Sequence, residues 1–359
     1  MMFKLILCFA LFLFNFDLIA KPMKIVFINP GFSTENSTGK FWFKVNTIME
    51  SAADDLSINL ITFYANRDHI YMKSLVNKAI EAQPDYLILV NEKGTGPAML
   101  NKLEGHNIPV FFLLNTLSPQ ELTTLTKPQV NNLIGYLKPD NFQAGYKLAI
   151  HLIELGKKRL LNIPLYLLAL QGDYVTSAAI SRKQGLFKAL EEYQNDVTLI
   201  DSTVSNWSQN LSYVKTKGIL KHENNINLIW SANDAIAFGA NAAINDLAIN
   251  HPVIIGGINW DIDTEGNKTD VSYGGHVLLG AKALVMLYDH ANKQLKTDEM
   301  KLTLDIFQPN TTLDSQEIIA LISQNKTGKI NFKHFTKAHI TPQKFTIKNV
   351  IKSAKDHLN

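Results

Sequence analysis

The chain has 359 residues, of which 46% are hydrophobic and 19% charged, and its formal net charge at pH 7 is +3. This length is comfortable for two globular lobes, and the composition is that of an ordinary soluble protein. Lysines and arginines are scattered along the sequence, whereas a nucleic-acid-binding surface needs them concentrated on one face. We therefore expect no nucleic-acid partner.

The first twenty residues differ from the rest. Lys4 precedes an unbroken apolar run, Leu5–Phe14, and Leu18-Ile19-Ala20 ends in the small residue that signal peptidase favours. We expect residues 1–20 to be a cleaved signal peptide and the mature protein to be periplasmic. An uncleaved N-terminal anchor is the alternative.

Cys8 is the only cysteine, and it lies in that apolar run after Leu7, a residue too bulky for lipoprotein processing. The mature chain would contain no cysteine, which excludes disulfides and thiolate metal sites. The ten histidines are dispersed. We expect no metal and no other cofactor.

From Lys24 onward, short apolar runs alternate with longer stretches of helical pattern. Continuous apolar runs are typical of parallel strands covered by helices on both faces. The first run predicts strands at Ile25–Asn29, Asn59–Tyr64, Tyr86–Val90 and Val110–Leu114, and helices at Phe41–Asp55, Asp68–Gln83 and Pro97–Leu103.

The same alternation restarts after Tyr136. The second run predicts helices at Asn141–Leu155, Ser177–Tyr193, Ser208–Lys221 and Asp234–Leu247, and strands at Leu165–Leu170, Val197–Asp201, Leu228–Trp230 and Val253–Ile258. Two such runs indicate βαβ units with right-handed crossovers. The predicted fold class is α/β, with two doubly wound parallel-sheet lobes.

The remaining segments predict how the lobes are joined. Thr116–Leu137 has no clear period and is the first candidate connection. A helix at Gly274–Asn292 and a strand at Leu302–Phe307 indicate that the chain recrosses to the first lobe, near Asn259–Ser272, and then returns. The N-terminal lobe should contain residues 21–137 and about 260–305, and the C-terminal lobe residues 138–259 and about 306–359.

Nucleotide and hydrolase motifs are incomplete. Gly39-Lys40 resembles the end of a P-loop, but Thr34 stands where its first glycine is required. Gly94 begins a dinucleotide-type spacing in which Met99 occupies the third glycine position. There is no Gly-x-Ser-x-Gly elbow and no paired-histidine zinc helix. These observations argue against an enzyme.

Polar and aromatic residues recur just past the C-terminal ends of the predicted strands, the edge at which open α/β sheets bind ligands. Each of these residues has an alternative role that involves no ligand. Asn233 could be simply a helix N-cap, Trp207 a packing residue and Arg182 a surface residue. Their common edge favours a ligand site. The predicted ligand-binding residues are Phe41, Trp42, Asn91, Asn115, Arg182, Trp207, Asn233, Asn259 and His276.

Four segments of the sequence resemble the ribose- and galactose-type periplasmic binding proteins. The fold of that family is also the fold of the effector domain of lactose-repressor-type regulators. The resemblance spans about residues 23–325 and implies two lobes joined by three hinge strands around a ligand. The matching segments are Lys138–Asn141 with Gly145, Thr176–Ala179 with Arg182–Phe187, Ser205–Trp207 with Gly218, and Ile229–Gly239.

Carried over by position, the resemblance implies that Phe41 and Trp42 form an aromatic wall. Arg182, Trp207 and Asn233 would approach the ligand from the other lobe. A sugar with an apolar C–H face and a polar rim suits such a site, because rings cover the face and charged or amide groups bond the rim.

Two departures change the expected ligand. Asn115 and Asn259 stand where neutral-sugar binders of the family usually have aspartates, so the pocket is less acidic. We therefore expect plain glucose, galactose and ribose to bind poorly, and a modified or partly anionic ligand to be favoured. His276 could be a pocket donor or a helix-terminal residue.

These observations predict a monomeric receptor that captures a sugar or sugar-like molecule and delivers it to an ABC transporter permease. The alternative is a sensor that presents its ligand state to a membrane histidine kinase or cyclase. A transcription repressor would need a helix-turn-helix before Lys24, where the signal-like segment lies.

Overall fold

The computed structural model describes residues 22–34, 40–263 and 266–356. The signal peptide predicted for residues 1–20 therefore lies outside the described residues. Within the three described ranges, no helix is both long enough and apolar enough to cross a bilayer.

The secondary structure alternates strand and helix over most of its length. The strands are β1 (Lys24–Asn29), β2 (Asn59–Tyr64), β3 (Tyr86–Leu89), β4 (Val110–Leu113), β5 (Leu133–Pro139), β6 (Leu165–Gln171), β7 (Val197–Val204), β8 (Leu228–Ser231), β9 (Ile254–Ile258), β10 (Val271–Gly274), β11 (Lys301–Leu304) and β12 (Gln308–Pro309). The helices are α1 (Phe41–Asp55), α2 (His69–Ala82), α3 (Gly96–Lys102), α4 (Pro119–Thr123), α5 (Lys127–Asn132), α6 (Asn141–Arg159), α7 (Ser177–Glu192), α8 (Gln209–Leu220), α9 (Asp234–Asp246), α10 (Leu279–Ala291), α11 (Leu313–Ser323) and α12 (Ile347–Asp356).

The strands form two sheets, one in each lobe. The first has the order β11-β5-β4-β3-β1-β2 and the second the order β12-β10-β9-β8-β6-β7. All neighbouring strands are parallel except β10 and β12, which are antiparallel. The central strands are buried, apart from Lys24 at the start of β1, as their continuous apolar sequences require. The predicted fold class, two doubly wound α/β lobes, is confirmed.

Three connections join the two sheets. The chain leaves the first lobe between β5 and α6, returns between β10 and α10, and crosses again between β11 and β12. They correspond to the three-strand hinge expected from the resemblance, and the chain crosses once more after β12 to reach α11 on the first lobe.

Two of these connections lie later in the chain than predicted. Thr116–Leu137, expected to link the lobes, instead contains α4, α5 and most of β5, all on the first lobe. The return was expected near Asn259–Ser272, but β10 still pairs with β9 in the second sheet. Strand β10 has only four residues and follows a polar turn, so no apolar run of sufficient length indicated it. Strand β5 has seven residues, but the segment before it has no clear period.

The segment after residue 310 was expected in the C-terminal lobe, and that prediction is wrong. Ile318, Phe332 and Ile347 belong to the hydrophobic core of the first lobe. The Thr327 hydroxyl also lies 2.7 Å from the Ser51 hydroxyl on α1. The apolar pattern of this segment shows that it covers a core, but the sequence does not show which lobe supplies it.

The lobes touch across the cleft, so the conformation is closed. The Lys44 ammonium on α1 forms a 2.7 Å ion pair with Asp261, which follows β9 in the second lobe. Asn115 Oδ1, after β4, accepts hydrogen bonds from the Ser177 hydroxyl at 3.1 Å and the Ala178 N–H at 3.2 Å. These contacts hold the strand ends of one lobe against those of the other.

A pair of glycines brings α6 and α7 together. A Cβ atom at Gly145 would lie 2.0 Å from the Arg182 carbonyl oxygen, and one at Gly185 would lie 2.1 Å from that of Phe142. No other residue fits at such distances, so the glycines permit the close packing that fixes the backbone of Arg182.

Candidate ligand-binding site

A cavity lies between the lobes at the C-terminal ends of the strands. It encloses about 770 Å³ of space free of protein atoms, counted out to its opening to solvent, a size typical of small-molecule sites. Of the nine predicted ligand-binding residues, all but one line it. The lining residues are Gly31, Phe32, Phe41, Trp42, Phe43, Arg67, Glu92, Leu114, Asn115, Pro139, Asn141, Thr176, Ala178, Arg182, Trp207, Asn233, Asn259 and His276.

The first lobe gives the cavity an aromatic side, at the start of α1. The rings of Phe41 and Trp42 meet edge to face with centroids 5.2 Å apart. Phe41 also stacks on His276, with centroids 4.6 Å apart and planes inclined by 23°. A Cβ atom at Gly31 would lie 2.3 Å from Trp42 Cβ, so this glycine makes room for the indole. The arrangement offers flat apolar surface to a ligand.

Arg182 on α7 is the buried cation of the second lobe. Its Nε donates to Asn141 Oδ1 at 2.9 Å, one terminal nitrogen donates to the Ala232 carbonyl at 2.6 Å, and the other faces His276 Nε2 at 3.3 Å. All three partners are neutral acceptors. Burial lowers the pKa of Arg182 to about 9, with nearby Asp234 opposing the shift. A guanidinium has five N–H groups, so two remain for a ligand.

His276 lies between the lobes and is 2% exposed. Burial, reinforced by the charge of Arg182, holds the pKa of His276 well below its usual value, so the ring is neutral at pH 7. Because Nε2 accepts from Arg182, the proton sits on Nδ1. That nitrogen is buried and has no partner among the described residues. His276 begins a short 3₁₀ turn and also lines the cavity. It is therefore both a helix-terminal residue and a cavity residue, the two alternatives that the sequence left open.

Three amides line the cavity with their oxygens already occupied. Asn115 Oδ1 accepts from the start of α7, Asn141 Oδ1 from Arg182, and Asn233 Oδ1 from the Ile236 N–H at 2.9 Å. Asn233 is thus a helix cap as well as a cavity residue. Each amide nitrogen has no protein acceptor within the described part of the chain, which leaves three N–H₂ groups for a ligand.

Four cavity residues, Arg67, Leu114, Trp207 and Asn259, have the positive φ angles that side chains seldom adopt. Trp207 has a φ of 61° and Asn259 a φ of 142°. Trp207 Nε1 donates to Asp173 at 2.7 Å, which fixes the indole plane. Asn259 Nδ2 lies 3.3 Å from Asp261 Oδ2, so its oxygen is left as an acceptor. Such conformations cost about 1–3 kcal/mol each and are concentrated at ligand sites.

Sequence reasoning missed an ion pair at the first-lobe side of the cavity. Arg67, which follows β2, lies 3.1 Å from the Glu92 carboxylate, which follows β3, and both side chains line the cavity. Arg67 precedes Asp68, whose carboxylate caps α2. The sequence around Arg67 is therefore that of an ordinary helix start, and nothing in it indicates that the Arg67 side chain reaches the cavity.

Asn91 was predicted to bind ligand, but it does not line the cavity. Its Nδ2 donates to the Glu121 carboxylate at 2.9 Å and to the Thr116 carbonyl at 3.2 Å, and its Oδ1 accepts from the Gly96 N–H at 2.7 Å. All three contacts are within the first lobe. Asn91 holds the loops after β3 and β4 together, because its amide is fully used by the protein.

Known proteins of similar sequence and structure are sugar-binding proteins. A periplasmic sugar-binding protein from Pseudomonas fluorescens is 27% identical, with a TM-score of 0.79 over 92% of this chain and 99% of that one. The fructose-binding periplasmic domain of a hybrid two-component system is 18% identical, with a TM-score of 0.67 over 85% of this chain and 98% of that one.

A curated relative is the D-apiose import binding protein of Actinobacillus succinogenes, 23% identical over 206 residues, or 57% of this chain. The match spans 61% of that protein's length. The periplasmic binding protein domain model matches residues 30–265, which include β2 to β9 and most of the cavity lining. The chain belongs to the periplasmic binding protein family.

Proposed function

We propose that the protein is a periplasmic receptor that closes its two lobes around a sugar-like ligand bearing an acidic group. The single observation behind this proposal is Arg182, a buried guanidinium whose protein partners are all neutral and which keeps two N–H groups unused. A buried charge without a partner is costly, and an acidic ligand would supply the partner.

The charges around the cavity support an anionic ligand. Arg67 and Glu92 neutralise each other across 3.1 Å. His276 is neutral, and asparagines occupy positions 115 and 259, so Arg182 is the one charged side chain among the cavity-lining residues that forms no ion pair with a described residue. The lining therefore has a net charge of +1, which a carboxylate or phosphate group would balance.

The hydrogen-bonding groups of the cavity are mainly donors. Three amide nitrogens, His276 Nδ1–H and two N–H groups of Arg182 have no acceptor among the described residues. Each aromatic ring that covers the ligand contributes about 1–1.5 kcal/mol. Each charge-assisted hydrogen bond contributes about 1.5–3 kcal/mol. A micromolar complex requires about 8 kcal/mol net, so the donors must supply the larger share.

Delivery to an ABC transporter is the role we infer for the closed complex. A ligand held between the lobes binds the closed state better and shifts the population toward it, and a permease could recognise that state. Membership of the family and the similarity to an import binding protein support this role. We assign the cavity no catalytic step.

Sensing is the second candidate, supported by the similarity to a periplasmic domain of a two-component system. The two roles are separated by deleting the gene and measuring both outputs. Transport predicts that uptake of the labelled ligand is lost. Normal uptake together with loss of a ligand-dependent transcriptional or second-messenger response would favour sensing.

Export is part of the same proposal. The mature chain should begin at or near Lys21 and occur as a monomer in the periplasmic fraction. N-terminal sequencing and fractionation test this, and an intact Met1 recovered from the membrane pellet would show an uncleaved anchor.

The ligand class is tested by a thermal-shift screen that compares uronic acids, aldonic acids and sugar phosphates with glucose, galactose and ribose. Saturation with a tight ligand adds about 3–4 kcal/mol to the free energy of unfolding. We expect the largest shifts from acidic sugars. Submicromolar binding of any of the three neutral sugars would contradict the proposed ligand class while leaving the cleft assignment intact.

A further inference from the structure

Positive charge is concentrated in the C-terminal segment. Residues 326–356 contain eight lysines, no arginine and one aspartate, a net charge of +7. Because the whole chain carries +3, the 325 residues before this segment carry −4. The overall count therefore hides a strongly basic region on a mildly acidic protein.

The helix α12 orders part of this charge on one side. Its apolar residues Ile347, Val350, Ile351 and Ala354 belong to the core of the first lobe. Lys348, Lys352 and Lys355 alternate with them and are exposed, as is Lys344 just before the helix. We call Lys344, Lys348, Lys352 and Lys355 the lysine face.

Most of the lysine face has no neutralising partner. Lys355 forms an ion pair with Glu317 at 2.7 Å. Lys344, Lys348 and Lys352 form no ion pair with any residue that the structure describes. Their ammonium groups are therefore available to an external anion.

An exposed apolar side chain lies four residues before the lysine face. Ile340 is 97% exposed, the highest value among the large hydrophobic side chains of the described residues. It occupies the loop between Lys337 and Lys344. A branched apolar side chain fully in water is unfavourable, so a partner that buries it is favoured.

We propose that the lysine face and Ile340 dock the receptor onto an anionic phospholipid bilayer. Lysines near an anionic leaflet are each attracted to it over about a Debye length, and a single apolar side chain can enter the headgroup region. The apolar face of α12 is used inside the lobe, so the helix cannot insert. Binding would be peripheral, reversible and sensitive to salt.

The composition of the segment favours lipid over an acidic protein. Protein interfaces are enriched in arginine, tyrosine and tryptophan and depleted in lysine. Residues 326–356 contain none of the first three and eight lysines. Flexible point charges with one exposed aliphatic side chain suit a fluid layer of headgroups better than a shaped protein surface.

The test is co-sedimentation of the mature protein with vesicles of phosphatidylcholine, with or without about 30% phosphatidylglycerol. We expect binding only to the anionic vesicles at about 50 mM salt, and its loss at about 500 mM salt. The variant K344Q/K348Q/K352Q should bind at least about tenfold more weakly. Ile340→Ser should weaken binding by a few-fold.

The matched control is K78Q/K158Q/K221Q, which removes three exposed lysines that also form no ion pair with a residue in the described ranges. It should bind vesicles like the wild type. Equal losses in both triple variants, or no binding of wild type to anionic vesicles at low salt, would overturn the proposal. Binding that requires permease in the vesicle would show that the lysine face docks a protein instead. Ligand binding, measured in parallel, should be unchanged in every variant.

Discussion

The turns after β2 and β7 use the same backbone geometry in the two lobes. In each turn an asparagine N–H donates to a glycine carbonyl, Asn66 to Gly31 at 2.9 Å and Asn206 to Gly172 at 2.8 Å. The sheet orders around them also match, β4-β3-β1-β2 in the first lobe and β9-β8-β6-β7 in the second. The lobes therefore present equivalent positions to the cleft.

Different side chains occupy those equivalent positions. The residue after each asparagine lines the cavity with a left-handed backbone, Arg67 with φ of 62° and Trp207 with φ of 61°. The helix after the first strand carries Phe41 and Trp42 in one lobe and Arg182 in the other. Each lobe thus supplies aromatic and cationic side chains to the cavity. In the first lobe the cation is in the turn and the aromatic rings are on the helix, and in the second lobe this is reversed.

The exchange matters because the two cations differ in their partners. Arg67 has a carboxylate at 3.1 Å, from Glu92, whereas Arg182 has only neutral acceptors. Equivalent geometry therefore gives a neutralised pair in the first lobe and an unneutralised charge in the second. On this account the second lobe selects the charge of the ligand, and the first lobe mainly its shape.

The largest expected effect comes from removing the unneutralised charge. Arg182→Met should weaken binding of an acidic sugar about 100-fold, because the lost hydrogen bonds are charge-assisted. Arg67→Met should lower affinity less than about tenfold but reduce the free energy of unfolding by about 1–3 kcal/mol, because Glu92 is left buried without its partner. Calorimetric titration and thermal unfolding measure the two effects. Equal affinity losses in both variants would show that the lobes do not divide the roles.

A smaller loss is expected at the aromatic position of the second lobe. Trp207→Leu should weaken binding about tenfold, since a planar ring that stacks on a sugar is replaced by a smaller side chain. Tyr174→Leu is the control, because Tyr174 is 77% exposed and lies outside the cavity. Wild-type affinity in Trp207→Leu, with the fold intact by circular dichroism, would remove Trp207 from the site.

A separate effect concerns the pH dependence of stability rather than affinity, and it is centred on Asp234 in the second lobe. Burial, with a contribution from the charge of Asp261, raises the pKa of Asp234 to about 7, whereas the unfolded chain has the usual value of 3.8. Between these values the folded state binds the extra proton, so stability falls as pH rises, by at most about 1.4 kcal/mol per pH unit. The loss of stability caused by ionising the buried Asp234 carboxyl is complete above about pH 7.

Asp234→Asn should remove that dependence, because its amide oxygen can still accept from the Asp261 N–H and the Ser272 hydroxyl. Denaturant unfolding from pH 4 to 8 should give a flatter profile for the variant. An unchanged slope in the variant would mean that another group is responsible.

The site residues that the sequence predicts best are those that follow the C-terminal end of a parallel strand. Arg182, Trp207 and Asn233 all follow strand ends, and parallel strands bring their C-terminal ends to one edge, so a local pattern was enough to place them at one cavity. Helix α1 also begins and ends where its apolar period predicts.

The failures share a different cause. Asn91 and Arg67 have similar local settings, a polar residue after a strand, and only the tertiary partners Glu121 and Glu92 decide which one faces the cavity. The C-terminal segment shows the same limit, because its apolar residues indicate burial but not the lobe that buries them. The periodicity of apolar residues within a short segment does not show which distant residues that segment contacts.

The central claim, that Arg182 makes the closed cleft select an acidic sugar, is tested most directly by one calorimetric experiment. Galacturonate and galactose are titrated into the wild-type protein at pH 7, since they differ mainly by one carboxylate. We expect the acid to bind at least about tenfold tighter, the scale of one charge-assisted hydrogen bond. Tighter binding of galactose than of galacturonate would contradict the claim.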